Sequence, residues 1–490
     1  MKISRLIIAL VLAFVSQNMI AQNEMDALLF SSKSNFGSAR YMGAGGAFGA
    51  LGGDFGALSV NPAGIAIYRT GEFSFTPRFT FSNVRAQYAG SESEAGNAGL
   101  GIASCGIVNV GKTNDPQVNR ISVAFGYNRM ADFRQSSLIS GMNSESSLAD
   151  VFVNTANGTP YQELSNQYRF GTGLAWVSYL IDTISNGSGN QYFSNMPSLL
   201  QKEQTKMIER SGSMGETFLA FGSSVSDDLY LGGSIGFPTV RMTETSVHTE
   251  SLGDEATQLE KFSYTENLST SGTGLNVKVG GIYRVSDMFR VGAAYHSRDF
   301  YSLTLTYSTQ VKTTFRDGDE IVADSPTGIS EYRLRTPQRF IVSGAFLMGK
   351  SGFVSADYEF VDFSSSRLKT RTGAGGNEVF ATANERIDRI YRGTHNVRVG
   401  SEIKLNDFLL VRAGVNMSQN PFSSLADRVK SFDMGYSIGG GFRVSGLFMD
   451  LGYHFAQSAS QHFLYDPGLV EAAQISRNIS SIALTVGFKY

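Results

Sequence analysis

Residues 72–82 read Glu72-Phe73-Ser74-Phe75-Thr76-Pro77-Arg78-Phe79-Thr80-Phe81-Ser82. Phe73, Phe75, Pro77, Phe79 and Phe81 fall on one side of an extended chain; Glu72, Ser74, Thr76, Arg78, Thr80 and Ser82 fall on the other. Strict period two is the mark of a strand with one apolar face. Alone, the segment fits a soluble sandwich equally well. Its neighbours settle the choice.

Similar segments follow to the end of the chain. Leu275, Val277, Val279 and Tyr283 alternate with Asn276, Lys278 and Arg284, and Phe289, Val291, Ala293 and Tyr295 with Arg290, Gly292 and His296. Val397, Val399 and Ile403 alternate with Arg398, Glu402 and Lys404; Leu447, Met449, Leu451, Tyr453 and Phe455 alternate with Asp450, Gly452 and His454. Ile482, Leu484, Val486, Phe488 and Tyr490 carry the pattern to an aromatic end, which resembles the signal read by barrel-insertion machinery.

The joints are very short at 113–117, 226–228, 286–287, 349–351, near Asn406 and near Ser445. They are long at 86–97, 135–213, 251–258, 316–328, 372–388, 419–432 and 461–472, with helix-like text at 198–209. Short and long joints in alternation fit a transmembrane antiparallel β-barrel of about fourteen strands, apolar towards lipid and charged towards a wet lumen. The fold class is all-β. Arg78, His296, Arg398, Arg412, Asp450 and His454 are the expected lumen-facing polar residues.

Composition agrees. Charge is balanced, 41 Lys+Arg against 43 Asp+Glu, so no nucleic-acid partner is expected. There are 54 Gly, 35 Phe and 21 Tyr but one Trp, so an interfacial belt must be built of Tyr and Phe. The lone Cys105 excludes an internal disulfide. Lys2, Arg5 and the apolar run 6–15 read as a secretory signal ending at Ala21. The run is shorter than the roughly 20 residues of a spanning helix. The expected domains are a signal peptide (1–21), an N-terminal plug (22–70) and the barrel (71–490), which carries the long outer segment 135–213.

Nothing resembles an active site. Gly232-Gly233-Ser234-Ile235-Gly236 and Gly435-Tyr436-Ser437-Ile438-Gly439 fit a nucleophile pattern, yet both fall inside expected strands rather than strand–turn–helix joints. The five histidines show no metal-ligand spacing. His296 and His454 read as solvated wall residues, a lumen proton switch being the alternative. No cofactor, metal or catalytic residue is assigned.

Residues 22–68 are Gly/Ala-rich, contain Asp54, and end in Asn61-Pro62-Ala63-Gly64 just before the first strand. This arrangement resembles the hatch of the FadL-type outer-membrane transporters of hydrophobic compounds (OmpP1/FadL/TodX). Residues 274–281 and 290–297, Thr336-Pro337 with 355–364, and 410–415 with Asn420-Pro421-Phe422 are similar to further motifs of that family. The resemblance implies a fourteen-stranded barrel plugged by a hatch. A hydrophobic small molecule would be captured among outer loops, held in the lumen, and released sideways through a kink in the third strand, expected at Gly126. It also implies a monomer in outer-membrane lipid and lipopolysaccharide, inserted by the barrel assembly machinery. Phe48, Leu51, Phe55, Leu58 and Val60 would floor the ligand pocket, or simply pack the plug. A structural or adhesive barrel and a less selective porin are the alternatives.

Overall fold

The computed structural model describes residues 24–34, 36–114, 118–184, 189–253, 257–371, 379–423 and 432–490. The expected signal peptide lies outside them. Fourteen strands among the described residues close into one antiparallel ring. They are β1 (Glu72–Tyr88), β2 (Ser91–Lys112), β3 (Val118–Asp132, resumed at Gln135–Asn143), β4 (Lys202–Val225), β5 (Leu229–Leu252), β6 (Leu259–Arg284) and β7 (Phe289–His296, resumed at Phe300–Phe315). There follow β8 (Gly328–Arg335, resumed at Arg339–Leu347), β9 (Gly352–Asp362, resumed at Arg367–Thr370), β10 (Gly393–Lys404), β11 (Leu409–Gln419), β12 (Phe432–Val444), β13 (Leu447–His462) and β14 (Ala473–Lys489). β14 pairs with β1 from Glu72↔Lys489 to Gln87↔Gln474, which closes the ring. No helix among the described residues is long and apolar enough to cross a membrane.

The period-two text sets which side faces out. Phe73, Phe125, Leu231, Val279, Val342 and Leu451 point outwards and are exposed, while Arg78, Lys278, Arg412 and Asp450 point inwards and are buried. On β5 the outward apolar run ends at Phe237 and gives way to Thr239, Arg241 and Thr243. A spanning strand needs about 9–11 residues. β4, β5 and β6 have 24, 24 and 26, so they rise well beyond the apolar belt at the long-loop end.

That extension corrects two expectations. Residues 86–97 are not a loop: β1 and β2 run on to a two-residue turn at Ala89 (φ 47°) and Gly90 (φ 78°), the paired positive φ of a tight hairpin. Residues 202–209 are strand, not helix. In both stretches the strand stands clear of lipid, or hides polar groups inwards, so the apolar alternation that marks a strand is missing. Lys202 and Gln204 are buried there, and Gln204 Nε2 donates to Glu250 Oε1 (2.9 Å).

The helices of the outer segment come earlier. They are α3 (Leu148–Ala156), α4 (Tyr161–Gln167) and α5 (Thr172–Val177), numbered after two N-terminal helices described below. Ser147 and Asp150 form a capping box at the start of α3. Leu148, Phe152, Leu164 and Leu174 bury an apolar core against Phe262, Tyr264 and Val311 of the projecting wall.

Candidate functional site

The N-terminal segment lies inside the ring. It comprises α1 (Glu24–Ser31), α2 (Ala39–Gly43) and two 3₁₀ turns, Gly56–Ser59 and Pro62–Ile67. Charge bolts the segment down. Arg40 holds Glu402 with two parallel bonds (2.8 and 2.9 Å), Glu402 also takes Arg412 (2.6 Å), and Arg412 reaches Asp450 (2.7 Å). Lys33 pairs with Asp299 (2.9 Å), and burial pushes its ammonium down against the pull of that carboxylate. Space is matched as closely. A Cβ added at Gly400 would overlap Ala44 O, and one at Gly414 would overlap Gly45 N.

The motif residues form the joints of this segment. Asp54 accepts from Ser38 Oγ (2.7 and 2.8 Å) and Gly56 N–H (2.8 Å), while burial raises its carboxyl pKa. Asn61 caps the second 3₁₀ turn by accepting from Ala63 N–H (3.0 Å). Its Nδ2 donates to Gly49 O (2.7 Å) and, on the wall, to Gly281 O (3.2 Å) and Ala293 O (3.4 Å). Pro62 and Ala63 back onto Gly232 of β5, and Gly64 meets Gly52 backbone to backbone.

The inward polar residues are mostly buried rather than solvated, because the segment covers them. His296 Nε2 lies 2.8 Å from Val60 O, and His454 Nδ1 lies 2.9 Å from Ser437 Oγ. Glu359 is held by Arg339 (2.5 Å) and Arg398. Arg78 reaches Asp132 (2.8 Å).

Phe48, Leu51, Phe55, Leu58 and Val60 are all buried. Phe48 packs on Tyr41 and Phe353, and Phe55 on Phe218 and the glycine wall of Gly106 and Gly126. They lie between segment and wall. The larger apolar cluster sits higher, around Phe30 of α1, with Phe133, Tyr301, Leu303, Tyr332, Leu334 and Tyr391. Sequence reading missed it, although a signal was present. Tyr301, Leu303 and Leu305 alternate with Ser302, Thr304 and Thr306, but here the apolar set points inwards. The breaks in β7 and β8 invert the phase.

Gly126 is not a kink. It is ladder-paired on both sides, to Gly106 and to Phe218, and its missing side chain makes room for Phe55. The interruption comes later, as a bulge between Arg129 and Ala131 and a break before Gln135. β2 pairs with β3 only from Ser104↔Asn128 to Lys112↔Arg120. Above that, among the described residues, the outer piece of β3 pairs with β4 alone and β2 with β1 alone. The wall has a seam there.

A family model described as outer membrane protein transport protein (OMPP1/FadL/TodX) matches residues 22–489. The chain belongs to this family. It is therefore an outer-membrane β-barrel of a family that transports hydrophobic compounds. A search among curated proteins finds no match. Solved structures share the fold of this FadL/TodX member. A Pseudomonas aeruginosa FadL homologue superposes with a TM-score of 0.56 at 12% identity, covering 94% of this chain and 99% of the other. The toluene transporters TodX of P. putida (0.53, 12%, 94% and 99%) and TbuX of Ralstonia pickettii (0.50, 12%, 93% and 99%) are also similar. The family's short-turn end is taken as the periplasmic one, as in bacterial barrels generally.

Proposed function

We propose that the barrel takes up apolar small molecules such as long-chain fatty acids or hydrocarbons from outside and releases them sideways into the membrane. One observation carries this reading: a buried apolar cluster around Phe30 includes Phe133, in the break of β3 at the edge of the seam between β2 and β3. Such molecules dissolve poorly in water, so a useful route holds them in apolar surroundings and lets them leave without crossing an aqueous space. The outer loops are the capture region, with an open cleft of about 1000 Å³ between the β1–β2 tip and the joint 461–474, lined by Tyr88, Glu92, Phe463 and Leu469. The segment 22–70 is the hatch, with Asp54 and Asn61 to Gly64 as its hinge points. It gates the lumen, where Phe48, Leu51, Phe55, Leu58 and Val60 lie buried between segment and wall. The barrel works as a monomer in lipid and lipopolysaccharide.

Native mass spectrometry of the purified barrel, with extraction of its contents, tests this. A co-purifying apolar molecule, lost in a Phe30→Ala/Tyr332→Ala variant, is the expected result. An empty barrel that passes small polar solutes freely would make it a porin. An empty barrel that passes nothing and retains an envelope or host protein on its outer segment would make it an adhesive or structural one.

A further inference from the structure

The seam is not simply open. Where backbone pairing between β2 and β3 stops, side chains take its place: near the tip Ser93 Oγ donates to Leu138 O (2.5 Å), and below it two arginines reach β2, Arg129 of β3 and Arg134 at its break. Arg129 Nε donates to Ile102 O (3.0 Å), and Arg134 Nη1 donates to Leu100 O (3.0 Å). Gly99 and Gly101 leave room for this on the lumen face of β2: a Cβ at Gly99 would overlap Arg134 Nη1. Both arginines are held by Asp132. Its carboxylate accepts from Arg129 Nη1 (3.3 Å), from Arg134 Nε (3.1 Å) and Nη2 (2.9 Å), and from Arg78 Nη2 of β1 (2.8 Å). Among the described residues, Asp132 is the ion-pair partner of all three arginines.

The balance is uneven. Three guanidinium groups share one carboxylate, and Arg78 Nη1 is buried with no hydrogen-bond partner. A buried donor left unmade is costly, and charge-assisted bonds to an anion are the strong ones. Arg78 also stacks on Phe36 of the N-terminal segment (3.5 Å), and Ser34 N–H donates to Met130 O on the bulge (2.8 Å). The cluster thus touches the seam, the lumen and the segment at once.

We infer that Asp132 with Arg129 and Arg134 is a charge clasp that closes the seam, and that the anionic head of an amphiphile opens it by taking Arg78 and drawing the other guanidiniums off Asp132 and the β2 edge. This rests on the reading of the seam as the way out, and it narrows the cargo able to open it to molecules bearing both an apolar tail and an anionic head.

The test follows the guanidinium groups themselves. The full barrel, labelled at arginine nitrogen, is placed in lipid nanodiscs, and exchange of the Arg129 and Arg134 Nε protons with water is measured by NMR. Laurate should speed both by about tenfold, whereas dodecanol (tail without head) and acetate (head without tail) should leave them unchanged. Asp132→Asn should give fast exchange with nothing added. If that variant fails to assemble, Gly99→Ala serves: its Cβ takes the place of Arg134 Nη1 at the β2 edge, and fast exchange is expected at Arg134. Equal effects of laurate and dodecanol, or slow exchange in both variants, would overturn the clasp. No transport is needed for this readout. A silent clasp in a barrel that carries apolar cargo refutes only the clasp, and a responsive clasp in an empty barrel refutes only the uptake reading.

Discussion

Two joints of the same wall behave differently. β4 and β5 pair from Lys202↔Leu252 to Val225↔Leu229 without a skip. β2 and β3 pair only from Ser104↔Asn128 to Lys112↔Arg120. The first joint carries an ion pair, Arg210 with Glu244, but on top of a ladder that is already continuous. The second stops at about the height where the apolar belt ends, and side chains supply what the backbone does not. A wall can thus be sealed by a ladder, which is all or nothing, or by guanidinium groups, which can exchange one acceptor for another.

Proline should separate the two most sharply. Amide and carbonyl of one strand residue point the same way. Leu100 O faces the seam, so its amide does too, and Leu100→Pro should still give the folded, heat-modifiable band on a gel. Thr243 is paired to Ser211 on one side and to Ser269 on the other. Thr243→Pro should cost at least about 3 kcal/mol and abolish that band. The native Pro238 obeys the same rule, lying where β5 skips its bridges to β6. Equal assembly of the two variants would erase the distinction.

The last paired rungs below the seam come next. Gly106→Leu would drive a side chain into Phe55, whose ring occupies the place of the added Cβ. We expect a loss of about 1–3 kcal/mol in thermal unfolding, partly restored when Phe55→Ala is added. Absence of any rescue would mean that the ring does not set that position.

On the closed side, Asn61→Ala removes bonds to Gly49, Gly281 and Ala293. It should weaken the segment by about 1–2 kcal/mol. Hydrogen exchange should rise over residues 49–64 and stay unchanged around Ser34, which is tied to the seam side. Uniform loosening would show that the segment moves as one piece.

The smallest effect is that of pH on the segment. Burial raises the Asp54 pKa above its ordinary 3.8, so the folded segment binds that proton more tightly than the unfolded chain does. Its stability is then greatest below that value and declines as pH rises through the folded pKa. Asp54→Asn should flatten this slope, read as protease resistance of the segment against pH. An unchanged slope would assign the titration elsewhere.

Much of the wall was legible because lipid imposes a pattern. Phe73 to Phe81 could be placed from alternation alone, and so could the short joints at 226–228 and 349–351. The motif Asn61-Pro62-Ala63-Gly64 was legible through resemblance, and the structure gives it a mechanical sense as a cap and a close approach. What lay above the belt was not legible. At 86–97 and 202–209 water or buried polar groups replace lipid, so strands lose their apolar mark. The cluster around Phe30 was hidden because breaks at 297–299 and 336–338 turn the pattern over. The seam was missed because a missing ladder leaves no residue type behind, and a glycine inside a strand reads as a kink, whereas the role of Gly126 is to admit Phe55.

The contact of Gly400 with Ala44, and of Gly414 with Gly45, has a consequence for ancestry. No side chain mediates there, so neither partner can grow unless the other retreats. Substitutions at these positions should be inherited in pairs across the family, although the two stretches lie far apart in the chain. Drift in the wall and drift in what fills it would then be a single record, kept in two places.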